Sequence, residues 1–472
     1  MNRLFYHPED AWFADAIPFY EGGLFHIFYL LDWRDPEKHG IGTPWYRVTT
    51  KDFVHFQDCG EMLARGTEQE YDMYVFTGSV LKDPEGLYHI WYTGHNTCME
   101  AGNYVQAVMH AVSRDLDRWT KIPEDTFTHL SEEYEYRDWR DPYVWYDEKE
   151  KIYKMLLSSR KKSGEARRRG TTALLLSEDN KHWRLAPPLW EPHLYYAHEC
   201  PDIFRMGEWY YHIYSEFSHY HVTRYIMAKS ENGPWIVPDD DKFDGRAFYA
   251  AKTVSDGTSR YILGWNPTKE GNCDSGLWQW GGSLVVHELA QREDGTLACR
   301  MPRGIDEAFQ AEQGVVLSDY HGTVYSGRSF RLRSENGGAV CATSEEGQTG
   351  VYRFDAAFSF APGTQRVGIL LNADREKDFS YGYFFEPAKN KMVFELFPNF
   401  PQYSMNAICV ERPVPLRAGE TYRVSVIVDG TICVAYVNGE YALSARMYDG
   451  RTGCVGLMTD GSAEFRDVCI KK

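Results

Sequence analysis

No stretch of this chain stays apolar for the length that a bilayer requires. Its first residues, Met1-Asn-Arg-Leu-Phe-Tyr-His-Pro8, lack the apolar run of a secretory signal. A cytoplasmic protein without a membrane partner is expected. Positive charge is in deficit as well. Against 68 Asp and Glu stand 51 Lys and Arg, and the formal charge of -17 argues against nucleic acid as a partner. The basic run Arg160-Lys-Lys162 with Arg167-Arg-Arg169 falls between two strand patterns and reads as a solvated loop. Ten cysteines are scattered without Cys-x-x-Cys or another metal spacing, as reduced core residues would be. His193, His198, His219 and His221 lie near one another but also lack zinc-ligand spacing. Gly40-Ile-Gly42 has no strand–turn–helix setting, and no Gly-x-Ser-x-Gly elbow occurs. Neither a metal nor a cofactor is expected. Helical periodicity is nearly missing, which leaves an all-β chain.

What the chain does have is a repeated aromatic strand. It reads Leu24-Phe-His-Ile-Phe-Tyr-Leu30, Leu87-Tyr-His-Ile-Trp-Tyr-Thr93, Ile152-Tyr-Lys-Met-Leu-Leu-Ser158, Trp209-Tyr-Tyr-His-Ile-Tyr-Ser215 and Arg260-Tyr-Ile-Leu-Gly-Trp-Asn266. Successive copies start 51 to 65 residues apart. Aromatic and β-branched side chains suit a buried strand. Each copy follows a polar turn, such as Asp83-Pro-Glu-Gly86 or Ser255-Asp-Gly-Thr258, and a further apolar strand precedes that turn. Every unit therefore holds a hairpin. Downstream, Thr50-Lys-Asp, Ser113-Arg-Asp and Ser177-Glu-Asp each end a strand in a hydroxyl followed by an acidic turn. Repeats of this kind are the mark of propeller blades, and five are counted.

With 472 residues the chain is too long for one core. The five-bladed β-propeller is expected over residues 1–305, a linker over 306–325 and a C-terminal β-sandwich over 326–472. The last part carries short alternating strands, among them Tyr422-Arg-Val-Ser-Val-Ile-Val428 and Ile432-Cys-Val-Ala-Tyr-Val437, with Asp429-Gly430 and Asn438-Gly439 turns. It is expected to prop the propeller and to supply a homodimer contact.

Residues that open each unit's first strand converge on a propeller's central channel. Ten or eleven residues before the aromatic strands stand Asp15, Asp141 and Glu199, with Thr77-Gly-Ser79 and Ala251-Lys252 at the corresponding places of units two and five. Three carboxylates from distant parts of the chain would share one funnel. Such a pair can divide acid and base work, because burial and like charge drive their pKa values apart. Fourteen Trp and 33 Tyr offer flat faces for sugar rings, and Trp33 and Trp45 are candidates for stacking.

At Trp139-Arg-Asp-Pro-Tyr143 and His198-Glu-Cys-Pro-Asp202 the chain resembles glycoside hydrolase family 32, the β-fructosidases. Phe76-Thr-Gly-Ser-Val80 is similar to that family's Ser-Gly-Ser strand, and Phe248-Tyr-Ala-Ala-Lys-Thr253 to its Phe-Tyr-Ala segment. The resemblance covers essentially the whole chain. It implies a five-bladed propeller backed by a sandwich, with Asp15 as nucleophile, Glu199 as general acid/base and Asp141 as transition-state stabiliser. It also implies a small carbohydrate substrate, which Arg140, Thr77, Ser79, Tyr249 and Lys252 of these motifs are expected to touch; Trp33, Trp45 and His198 are further candidates on their own chemistry, with His198 expected to tune Glu199. A retaining double displacement on a β-fructofuranoside would need Asp15 and Glu199 carboxyls ~5–5.5 Å apart. The chain departs from the family at the nucleophile. Where fructosidases carry Asn-Asp-Pro-Asn-Gly it has Ala14-Asp-Ala-Ile-Pro18, so the Asn that contacts sugar is an alanine.

Two other readings fit the same carboxylates: an inverting arabinofuranosidase- or xylosidase-like propeller, and a carbohydrate-binding protein that kept the pocket without the reaction. A second Asp-Trp-Arg-Asp-Pro string, at 32–36, follows an aromatic strand. Its Arg34 and Asp35 are expected in a loop, at the funnel mouth or as a plain turn.

Overall fold

The aromatic repeats become the second strands of five antiparallel sheets in a computed structural model, which describes residues 4–99, 106–319, 323–326, 329–398 and 410–472. Each expected hairpin forms. Trp12–Glu21 pairs with Leu24–Asp32, Tyr74–Lys82 with Tyr88–His95, and Tyr134–Asp147 with Ile152–Lys161. Glu199–Met206 pairs with Trp209–Glu216, and Tyr249–Ser255 with Arg260–Lys269. Third strands follow at Trp45–Thr50, Gln106–Ser113, Gly170–Ser177, Val222–Ala228 and Trp278–Gln291. The first strand of each sheet touches the first strand of the next, and the fifth touches the first. This is a closed ring of five blades with one strand from each around the axis. A single pairing, Phe13 with Gly282, joins blade V to blade I.

The polar turns hold as hydrogen-bonded caps. Ser113 Oγ accepts from Leu116 N, while Asp115 Oδ1 accepts from Asp117 N and Arg118 N. Thr50 with Asp52 and Ser177 with Asp179 repeat the pattern in blades I and III. Such turns need one residue in the left-handed region, and Phe53, Leu116 and Asn180 supply it at φ of 60°, 66° and 59°.

The C-terminal part is two stacked antiparallel sheets enclosing a core of Phe354, Phe358, Tyr383, Phe385, Val426 and Phe465. Residues 306–325, expected as a linker, contain the end of the helix Arg303–Ala308 and the strands Glu312–Gly314 and Ser318–Asp319. Those strands pair with Ser462–Lys471 and Val340–Thr343 of the sandwich. Two or three residues are too few for a period-2 pattern to show in sequence. The two parts share core: Ile427, Ile432, Val434 and Tyr436 of the sandwich pack into the propeller's apolar cluster. Buried Asp244 bridges them, accepting from Ser444 N and Ser444 Oγ and pairing with His287 Nε2 at 2.9 Å.

Candidate active site

Each of the five axial strands breaks register at the same level. The irregularity falls between Ala14 and Ala16, Phe76 and Gly78, Arg140 and Tyr143, Glu199 and Asp202, and Tyr249 and Lys252. A bulge turns a side chain away from the alternation of a flat strand. At four of the five the extra residue is left-handed: Asp15 at φ 31°, Asp141 at 62°, Cys200 at 51° and Ala250 at 51°. None is a glycine, so the backbone carries strain of the kind that collects at functional sites. In blade II the extra residue is Thr77, and Gly78 beside it leaves no room for a Cβ, which would lie 2.0 Å from the Trp91 carbonyl oxygen.

The bulges empty into one cavity of about 480 Å³. Asp15, Asp141 and Glu199 all line it, together with Arg140, Tyr249, Asp138, Gln106, His221 and the aromatic rings of Phe76, Tyr196, Phe217 and Trp280. The three carboxylates expected from sequence are thus brought together. Asp15 is gripped on both oxygens: Thr77 Oγ1 donates to Oδ2 at 2.5 Å and Trp265 Nε1 to Oδ1 at 2.9 Å. Asp141 is 4 % exposed, and its Oδ2 accepts from Cys200 N at 2.9 Å. Glu199 takes Arg140 Nη2 on Oε1 at 3.1 Å and the Tyr249 hydroxyl on Oε2 at 2.6 Å. Arg140 also donates to Asp138 Oδ1 at 2.7 Å and lies 3.8 Å from Asp141 Oδ2.

Burial dominates the electrostatics. It raises the Asp15 carboxyl above its ordinary value, against the Thr77 and Trp265 hydrogen bonds, and the charge of Glu199 adds to the rise. Burial pushes Asp141 up to about 7, opposed by Arg140 and assisted by Glu199 and Asp15. Arg140 is held above its ordinary value, because the charges of Glu199, Asp141 and Asp138 outweigh its desolvation. His221, stacked on the Tyr249 ring at 3.9 Å, is lowered by burial. Burial thus raises both aspartates of the site, Asp15 and Asp141.

Of the eight residues expected to touch substrate, Arg140 and Tyr249 line the cavity. The other six do not. Trp45 is fully buried and donates Nε1 to the Phe76 carbonyl at 3.1 Å, so it is a core residue. Trp33 stacks on His39 at 4.9 Å beneath Arg65. Thr77 is buried and acts on Asp15. Ser79 accepts from Val144 N, and Lys252 donates to the Gly78 carbonyl. His198 stands just before the strand that Glu199 opens. Its Nδ1 meets Thr172 Oγ1 and its ring packs on Trp190 and Tyr214. Arg34 and Asp35 stand outside the cavity: Asp35 caps the helix Pro36–His39, and Arg34 braces blade V. Sequence reasoning did not single out Asp138, Gln106, Trp265 or Trp280. Asp138 had a signal, since it lies two residues before Arg140 on the same strand face; the other three had none.

Comparison with known proteins bears on the family and the fold. The model of the glycosyl hydrolases family 32 N-terminal domain matches residues 5–297, and that of the family 32 C-terminal domain matches 326–472. A levanbiose-producing levanase of Bacillus subtilis (strain 168) is 26 % identical over 99 % of this chain and 90 % of its own. A sucrose-6-phosphate hydrolase of Vibrio alginolyticus is 28 % identical, but that match spans only 59 % of this chain and 58 % of the relative. Among solved structures, sucrose-6-phosphate hydrolase from Lactobacillus gasseri superposes with a TM-score of 0.75 at 17 % identity, covering 99 % of this chain and 93 % of that one. Exo-inulinase from Aspergillus awamori gives 0.74 at 16 %, covering 100 % and 97 %. Both share the propeller and sandwich. Domain by domain and in the right order, the chain belongs to glycosyl hydrolase family 32 and is a glycoside hydrolase.

Proposed function

We propose that this enzyme is a retaining β-fructofuranosidase acting on a small fructoside such as sucrose, a fructo-oligosaccharide, a levan or inulin fragment or a difructose anhydride. The observation that carries the reading is the sharing of one cavity by Asp15, with both oxygens fixed by Thr77 and Trp265, and Glu199, with both oxygens in reach of Arg140 and Tyr249. In the first step Glu199 gives its proton to the glycosidic oxygen while the Asp15 carboxylate attacks the anomeric carbon. The carbon–oxygen bond breaks, the leaving group departs as an alcohol, and a fructosyl ester forms on Asp15. In the second step Glu199 takes a proton from water, whose oxygen attacks the same carbon and frees Asp15. Asp141, whose carboxyl burial pushes up to about 7, lines the same cavity and could pair with a ring hydroxyl as donor or acceptor.

The levanase among the relatives supports a fructoside. Ala14 is fully buried, and its Cβ would lie 3.3 Å from a Cβ placed on Gly281. The family's sugar-contacting Asn has no counterpart there, so Arg140, Asp138 and Asp141 would supply more of the hydroxyl contacts. The test is the anomer first released, followed by NMR on fresh sucrose or levan fragments. Retained configuration with Glu199→Gln lowering kcat about 10²–10⁴-fold at little cost in affinity is expected. Inverted product would identify the arabinofuranosidase-like alternative, and unchanged affinity with no turnover in the parent enzyme a binding protein.

A further inference from the structure

The cavity wall beyond Glu199 has a charge pattern that bears on what leaves. Four carboxyl side chains, Asp15, Asp138, Asp141 and Glu199, line the cavity, and among the described residues Arg140 is the one lining cation. That guanidinium is already committed to Asp138 and Glu199. Arg160, behind Tyr196, is 2 % exposed and spends its donors on Glu135, Asp138 and the Tyr196 and Ala166 carbonyls. Arg246, whose charge reaches His221, donates to the Tyr220 carbonyl and does not line the cavity. Among the described residues that line this wall, a phosphate would find no cation other than Arg140 and would face carboxylates instead.

The rest of the wall is suited to a neutral ring. Trp280 and Phe217 line the cavity and remain 40 % and 43 % exposed, so two aromatic faces there are open to a ligand. Trp280 is held in place from behind, because Arg34 donates to the Trp280 and Gly281 carbonyls and to Gln279 Oε1. Asp138 and Gln106 bring an acceptor and an amide to the same space. Aromatic faces with a few convergent polar groups are what a sugar's apolar face and hydroxyl rim require.

We propose that this outer wall is a leaving-group site for a neutral, hydroxyl-bearing ring, held by Trp280 and Phe217 and hydrogen-bonded by Asp138 and Gln106, and that it selects against phosphorylated fructosides. The proposal rests on the fructosidase reading above and adds the charge class of the substrate. A phosphate monoester carries about -1.5 to -2 at pH 7. Repulsion from a partly desolvated carboxylate wall is long-ranged at low salt and screened at high salt.

The experiment compares kcat/KM for sucrose and for sucrose phosphorylated on carbon 6 of its glucosyl ring, from about 20 mM to about 500 mM NaCl, a range over which the screening length shrinks several-fold. At low salt the phosphorylated substrate is expected to be at least about tenfold poorer, with the gap narrowing as salt rises and sucrose nearly unaffected. Trp280→Ala is expected to raise KM for sucrose about tenfold while changing KM for methyl β-fructofuranoside, which has almost no leaving group to stack, less than twofold. Equal or better turnover of the phosphorylated sugar would overturn the proposal and leave the fructosidase reading standing. An equal KM change for both substrates in Trp280→Ala would overturn the stacking role. Failure of the folded enzyme to cleave any of the three fructosides would remove the fructosidase reading and the proposal together.

Discussion

Asp32-Trp-Arg-Asp-Pro36 leaves the second strand of blade I, whereas Asp138-Trp-Arg-Asp-Pro142 runs inside the axial strand of blade III. In both copies the arginine pairs with the first aspartate, Arg34 with Asp32 at 3.1 Å and Arg140 with Asp138 at 2.7 Å. That much is local and follows from the spacing of two. Everything else differs. Trp33 lies against His39 at the surface, while Trp139 is fully buried against Tyr134. Asp35 is an exposed helix cap, while Asp141 sits in a left-handed bulge on the cavity floor. Five identical letters take their chemistry from where the strand is when they occur. On the axial strand, neighbours from blades II and IV flank them and exclude water; past the strand's end, the loop, Arg65 and the blade V hairpin do so only in part.

The widest expected separation between the copies is at their second aspartates. Asp141→Asn removes the ionisable group that the proposed transition state leans on, and kcat on sucrose should fall about 10²–10³-fold, the usual loss for one preorganised polar contact. Asp35→Asn should leave kcat within twofold. Steady-state kinetics on the two variants, each checked for native near-UV circular dichroism, decides it. Comparable losses in both would mean that the first copy belongs to the site after all.

The arginines should separate by kind of defect. Arg34 ties blade I to Thr268, Gln279 and the Trp280 and Gly281 carbonyls from a half-buried position. Arg34→Met leaves several of those acceptors unpaired and is expected to cost about 2–3 kcal/mol in chemical denaturation, with kcat within threefold and KM raised as Trp280 loosens. Arg140→Met should do the reverse on activity, lowering kcat more than tenfold, because it strips Glu199 of its cation and leaves Asp138 with Arg160 alone.

A smaller effect is expected one contact away from the second copy. Trp265 Nε1 holds the ionised form of Asp15, whose carboxyl burial already raises. Trp265→Phe removes a donor that lowers that pKa, so the pKa rises further. Since the nucleophile acts ionised, the acid limb of kcat/KM should move toward neutral. Above the limb the rate should be little changed. A pH–rate profile that stays in place would show that the Trp265 hydrogen bond has no part in setting the ionisation of Asp15.

How much of this could be read beforehand follows from which links are local. The aromatic strands announced five hairpins, because a run such as Tyr210-Tyr-His-Ile-Tyr214 needs a buried sheet wherever it falls. Asp15, Asp141 and Glu199 were found by their constant distance from those strands, which topology preserves. What distance along the chain cannot give is which way a side chain turns. Trp45 stands in a plausible place for stacking and is core, because alternation points it inward. His198 is next to Glu199 in sequence, but its ring meets Thr172 and packs on Trp190. The bulges at Asp15, Asp141, Cys200 and Ala250 carry no glycine to mark them, so the register break that aims the carboxylates is set by contacts between blades and is silent in the sequence. Trp265 reaches Asp15 from 250 residues away, a pairing that only ring closure creates.

The mildest difference expected between the copies lies in what Asp35 still does. Its Oδ1 accepts from Lys38 N at 3.1 Å, and Pro36 occupies the first helical position, so the loop enters its single turn already shaped. Asp35→Ala exposes one amide to water and to nothing else, since the residue and its neighbours are at the surface. Loss of such a cap costs roughly 0.5–1 kcal/mol, and the low end applies to a helix of four residues. Urea denaturation should register it, with an unchanged slope and unchanged kcat. A much larger loss would mean that the turn transmits its shape through Arg34 to the Trp280 wall, and then the two strings would share a task that their surroundings conceal.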